Sequence, residues 1–122
     1  MEIKEIRETV IQLLKTHGKE LKITADKPEK FEMSGTKEVM QGKKKVDGHY
    51  FCTVLPKPKD VRFYFFPTYT HADKILPLPE NLAKALKGKS CFHIKKWDDD
   101  MEKNLTELIK KGIKLYAEDG LI

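Results

Sequence analysis

Two neighbouring stretches rich in aromatic and β-branched residues constrain this chain more than any other part of it. They read His49-Tyr50-Phe51-Cys52-Thr53-Val54-Leu55 and, from Val61 to Thr68, VRFYFFPT. Such side chains suit a pleated, half-buried surface. The segment between them, Pro56-Lys57-Pro58-Lys59-Asp60, is too short for the crossover of about a dozen residues that parallel strands need, so the two must pair antiparallel. Phe63 and Phe65 then share one face, and Tyr64 and Phe66 the other. Pro67 marks where regular pairing ends.

Helices are expected on both flanks. In residues 2–17, Ile3, Ile6, Val10, Leu13 and Leu14 recur at three- and four-residue steps, which places them on one helical face. Gly18 is expected to stop that helix in a left-handed conformation. Leu21, Ile23 and Ala25 alternate as a strand, Asp26-Lys27-Pro28 turns, and Phe31 and Met33 alternate in a second strand. Glu38 to Met40 forms a third short strand, and Gln41 to Lys45 a loop or a lysine-guarded edge. Asp47-Gly48 is the strongest hairpin dipeptide in the chain. Beyond the central pair, Tyr69 to Pro79 reads as a crossing loop, and Glu80 to Lys87 as a short helix stopped by Gly88. Ser90 to Lys96 reads as a strand with Cys91, His93 and Lys95 on one face. The last helix starts with Asp98 or Asp99 as N-cap and carries Met101, Leu105, Leu108, Ile109, Leu115 and Tyr116 on one stripe. Gly112 interrupts that stripe and is expected to mark a close approach to the sheet. The reading is one α+β domain over residues 1–122. An antiparallel sheet carries the N- and C-terminal helices on one face, with a short helix before the last strand.

Charge and cysteine usage narrow the functional classes. The net charge of +5 comes from 24 basic against 19 acidic residues, and only Arg7 and Arg62 are arginines. Specific phosphate and base recognition favours arginine's planar fork, so the surplus argues only weakly for a nucleic-acid partner. Nothing approaches a membrane span, and the opening MEIKEIRETV lacks a signal-peptide core. Cys52 and Cys91 have no CxxC spacing. A cytoplasmic protein with reduced thiols is expected.

Candidate chemistry gathers in GKSCFHIKKWDDD, Gly88 to Asp100. Cys91 and His93 are two apart on a strand, so a thiolate and an imidazole could meet a metal from one face, with Cys52 joining if the strands are neighbours. The plainer alternative is two packed cysteines and a hydrogen-bonded histidine. A Cys–His nucleophile is a third reading, weakened because residues two apart on a strand stand about 6.5–7 Å from each other. Asp98, Asp99 and Asp100 offer carboxylates to a hard cation, or simply cap the last helix. Lys84, Lys87, Lys89, Lys95 and Lys96 lie in a run without acids. With Phe92 and Trp97 interleaved they form an anion or single-strand nucleic-acid surface, or else a solvated basic edge. Binding, of a metal or small ligand first and of an anion second, is favoured over catalysis.

Three stretches carry a family resemblance: DVRFYFFPTYTH (Asp60 to His71), LKGKSCFHIKKWDDD (Leu86 to Asp100) and IKKGIKLY (Ile109 to Tyr116). They resemble the YdhG-like family of small bacterial domains. The resemblance implies an α/β sandwich similar in outline to frataxin, and a role in holding or delivering ferrous iron. Frataxins carry an acidic ridge on the first helix; here Glu2, Glu5 and Glu8 alternate with Lys4 and Arg7.

Overall fold

Alternation along the strands sorts their side chains onto two faces, and the architecture follows from that sorting. The computed structural model describes residues 1–41 and 43–122. In chain order come α1 (Ile3–His17), β1 (Lys22–Lys27), β2 (Lys30–Ser34), β3 (Glu38–Gln41), β4 (Lys44–Asp47), β5 (Tyr50–Pro56) and β6 (Val61–Phe65). Then follow α2 (Pro67–Thr70), α3 (Ala72–Ile75), α4 (Glu80–Ala85), β7 (Leu86–Lys87), β8 (Cys91–Ile94) and α5 (Asp99–Glu118). Six strands make one antiparallel sheet in the order β1-β2-β5-β6-β8-β7, and β3-β4 form a separate two-stranded ribbon. The α+β class and the antiparallel central pair are as the sequence leads one to expect.

Residues directly opposite each other in adjacent strands share a face. One cross-strand row runs Phe31, Val54, Phe63, Phe92 and Leu86; a second runs Met33, Cys52 and Phe65. All but Leu86 are buried. Onto this face pack Ile6, Val10, Ile11 and Leu14 of α1, and Met101, Leu105, Leu108, Ile109, Leu115 and Tyr116 of α5. Burying a side chain of this size contributes about 1.5–3 kcal/mol, so these rows and stripes dominate the stability of the fold.

The helix ends show how local sequence sets the boundaries. Glu2 and Glu5 form a reciprocal capping box at α1, the Glu2 backbone N–H donating to Glu5 Oε1 at 3.1 Å. Gly18 ends α1, but at φ −105° rather than in the expected left-handed conformation. Space requires the glycine there: a Cβ would stand 2.6 Å from the Leu14 carbonyl oxygen and 2.9 Å from Leu21 Cδ1. Asp98 caps α5 by accepting from the Met101 N–H at 2.8 Å, a contact whose loss typically costs about 1 kcal/mol.

Several boundaries differ from the sequence expectation. Asp47-Gly48 does not close a hairpin onto β5, because β4 pairs with β3. Gly48 (φ +118°) instead lets the chain pass close against the Gly35 carbonyl on its way into the sheet. Of the expected loop or edge at 41–45, Lys44 and Lys45 belong to β4, and Gly42 lies outside the described residues. The helix from Glu80 ends at Ala85, since Leu86 and Lys87 pair with Phe92 and Cys91. Gly88 (φ +79°) therefore turns β7 into β8 rather than stopping a helix. The expected strand 90–96 is regular only over Cys91–Ile94. The expected strand from Val61 to Thr68 ends at Phe65; α2, from Pro67, takes its last residues and leads into the crossing loop, which contains α3, both single turns too short to reveal a helical period. Among the described residues no helix is long and apolar enough to cross a membrane.

Gly112 lies where expected, against the sheet: a Cβ on it would come within 3.0 Å of Phe65 Cε2, nearer still to Phe65 Cζ, and 3.1 Å from Pro67 Cγ. Alanine would gain about 1 kcal/mol in helix propensity, but overpacking typically costs about 1–3 kcal/mol. Gly112→Ala is therefore expected to lower unfolding free energy in urea, and Gly112→Val to lower it further. Undiminished stability in both variants would show that the helix does not lie this close.

Candidate functional site

The sheet face turned away from the helix-packed rows carries the ionisable groups. A row across it runs Ala25, Glu32, Thr53, Tyr64, Cys91 and Lys87; beside it lie Leu55, Arg62 and His93. Cys91 and His93 are thus together on this face, as their spacing requires. Cys52 is not with them. It belongs to the helix-packed face, is buried, and is separated from β8 by β6. The composite of Cys91, His93 and Cys52 is excluded by the odd–even position of Cys52 and the order of the strands.

Cys91 and His93 also look to different partners. Tyr64 hydrogen-bonds Cys91, while His93 Nδ1 lies 3.7 Å from Asp60 Oδ2. Burial pushes the Cys91 thiol above its ordinary range, and the Tyr64 bond offsets only part of that. The thiol stays protonated near neutrality and has no imidazole to draw its proton, so the pair is not arranged as a nucleophile and base. Among the described residues no group of three or more His, Cys, Asp or Glu side chains is placed to hold a metal ion. The donor set for iron is thus incomplete around Cys91 and His93.

The acidic triplet separates as well. Asp98 and Asp100, with Glu80, line a shallow cleft beside α4, and Asp99 is not among its lining residues. Asp98 is occupied in capping, Glu80 pairs with Lys84 at 2.9 Å, and Asn104 donates to Asn81 at 3.0 Å. Asp98 and Glu80 are thus engaged within the helices that carry them.

The lysines do converge. Lys84, Lys87, Lys95 and Lys96 line one groove of about 290 Å³ with His93 and Asn81, over a floor that includes Ile94 and Met101. No carboxylate lines it. A second groove continues from Lys95 to Arg62, Lys59 and Lys57. Its single acid, Asp60, is 5% exposed and accepts from Arg62 Nε at 3.1 Å. Lys89 stands apart, its ammonium 5.3 Å from the centre of the Tyr69 ring. Phe92 is fully buried, and Trp97, half-buried against the core, lines neither groove.

Models of known protein families, curated proteins and solved structures give no match to this chain.

Asp60 and Arg62 are the site residues that sequence reasoning missed. Pro56 to Asp60 has the composition of a turn, which hides the fact that residues 60 and 62 share a face with His93. A polar cluster at the other end of the molecule was missed too. His71 Nε2 meets Asp119 Oδ2 at 2.5 Å, its Nδ1 lies 2.8 Å from Thr70 Oγ1, and His49 Nδ1 lies 3.0 Å from the Tyr116 hydroxyl. That cluster ties the end of α5 to the α2–α3 junction.

Two outcomes follow for pH. Alkylation of Cys91 should be slower than that of free cysteine near neutrality and still rising above pH 9; a rate that levels off below pH 8 would contradict the raised thiol. Burial raises Cys52 and Tyr116 above ordinary values of 9.0 and 10.0, so the folded state keeps protons that the unfolded chain releases. Their stabilising effect is complete below about pH 9 and is lost as pH rises above it, at up to about 1.4 kcal/mol per pH unit for each group. Cys52→Ala should flatten the early part of the alkaline decline in unfolding free energy, and an unchanged slope would count against burial of this thiol.

Proposed function

We propose that this protein is a non-catalytic binding domain for a compact, multiply charged anion of the phosphate type. The convergence of Lys84, Lys87, Lys95 and Lys96 on one groove without a carboxylate carries this reading. Lys87, Lys95 and Lys96, which have no ion-pair partner among the described residues, share this groove with Lys84, which Glu80 holds at 2.9 Å, and a bound polyanion meets several donors at once. Lysine suits such a role, since it binds phosphate as a point charge without imposing the bidentate geometry of arginine. His93 adds a ring nitrogen from the sheet side. Single-stranded nucleic acid is a poorer match, since the groove lacks exposed rings on which bases could stack.

The family proposal accompanies this reading. The stretches 60–71, 86–100 and 109–116 resemble the YdhG-like domains, and two terminal helices on an antiparallel sheet support a frataxin-like outline. We do not extend it to iron, for which the donors around Cys91 and His93 are incomplete. A reducing, cytoplasmic setting is proposed on the two free thiols, Cys52 and Cys91, which lie on opposite sheet faces.

Inorganic tripolyphosphate is the probe of choice. Calorimetry should show saturable binding that weakens steadily with added salt, as expected for partly exposed charges. Lys87→Glu with Lys96→Glu should weaken binding at least tenfold, equivalent to about 1.4 kcal/mol. Lys89→Glu should leave it unchanged. Binding that ignores salt, or that survives the double reversal, would overturn the proposal.

A further inference from the structure

On the far side of the β7–β8 turn lies a second concavity of different character, a groove of about 370 Å³. It is lined by Thr68, Tyr69, Ala72, Leu76, Leu86, Gly88 and Lys89. Its walls are mostly apolar, and two of them are unusually exposed for their type: Tyr69 at 50% and Leu76 at 46%. Large exposed apolar side chains scattered singly need no explanation. Here two of them share a concave surface.

A charged group stands at its rim, and the buried Thr68 side chain forms part of its wall. Thr68 is 1% exposed, and its Oγ1 has no hydrogen-bond partner among the described residues. An unsatisfied buried hydroxyl is normally costly, and such groups usually find a partner. At the rim, Lys89 has no ion-pair partner among the described residues; its ammonium sits over the Tyr69 ring. No acid lines the groove. Gly88 leaves an opening beside them, since nothing lies within 4 Å of where its Cβ would be.

We propose that this groove binds a small aromatic monocarboxylate. The flat ring lies against Tyr69, Leu76 and Leu86, and the carboxylate meets the Lys89 ammonium. A cation of the same shape is repelled by Lys89, and a polyphosphate finds one charge here against the unpaired Lys87, Lys95 and Lys96 of the basic groove. The site is therefore independent of the anion groove proposed above.

The test is a titration of the ¹⁵N-labelled protein with 1-naphthoate, alongside 1-naphthylmethylamine as the cationic counterpart. Saturable amide shifts are expected at residues 68, 69, 72, 76, 86, 88 and 89 with the carboxylate only. Lys89→Glu and Tyr69→Ala should each weaken binding about tenfold or more, the equivalent of one decade in Kd, with spectra otherwise like the parent's. Equal binding of the amine, shifts centred on residues 84, 87, 95 and 96, or full affinity in Lys89→Glu would each overturn the assignment.

Discussion

How closely the C-terminal helix lies on the sheet is set where Gly112 meets the ring of Phe65, and much of the molecule depends on that depth. With the helix at this distance, Tyr116 reaches Phe51 edge-on at 5.0 Å, and Phe51 in turn meets Phe65 at 5.1 Å. The Tyr116 hydroxyl donates to the Tyr50 carbonyl, so α5 is fixed to β5 by a polar contact as well as by ring packing. At its other end, Asn104 holds Asn81 of α4. Met101 then lies under the basic groove. A helix lifted by a methyl group would disturb the core and the groove together, which ties the candidate site to the packing beneath it.

The same strand alternation that builds the core also decides which chemistry is available. Cys52 lies in a phenylalanine-lined row where ionisation is strongly opposed by burial. Cys91, on the opposite face, is bonded to Tyr64. Asp60 is nearly buried, yet it is tolerable because Arg62 donates to one oxygen and His93 approaches the other. A buried carboxylate without such partners would be costly. Its negative charge is spent on those neighbours, so Lys57, Lys59 and Lys95 around it still present a basic surface.

Long periodic elements were legible in the sequence. The stripes of α1 and α5, an N-cap at Asp98 or Asp99 and the antiparallel pairing of β5 with β6 all follow from spacing, residue type and loop length. The close approach at Gly112 was legible too, because a glycine inside an apolar helical stripe needs a packing reason. What sequence hid were features decided by partners remote in the chain. Leu86 and Lys87 continue the pattern of α4, and only their pairing with Phe92 and Cys91 makes them a strand. Asp47-Gly48 has the composition of a hairpin turn, but the carbonyl of Gly35 decides what its glycine is for. Asp60 reads as a turn residue until β8 places His93 beside it.

The lysine run shows how a single stretch can divide between two surfaces. Read along the chain, Lys84, Lys87, Lys89, Lys95 and Lys96 form one basic tract. The fold breaks it at Gly88, whose positive φ turns the chain back on itself. Before the turn, Leu86 and Lys87 point to opposite faces of β7, so Lys87 lines the basic groove while Leu86 walls the apolar one. Beyond the turn, Lys89 falls on the Tyr69 side and is separated from the other four. A two-residue strand and one glycine thus divide a uniform charge run between two separate grooves, one lined by four lysines and the other by one lysine beside apolar side chains.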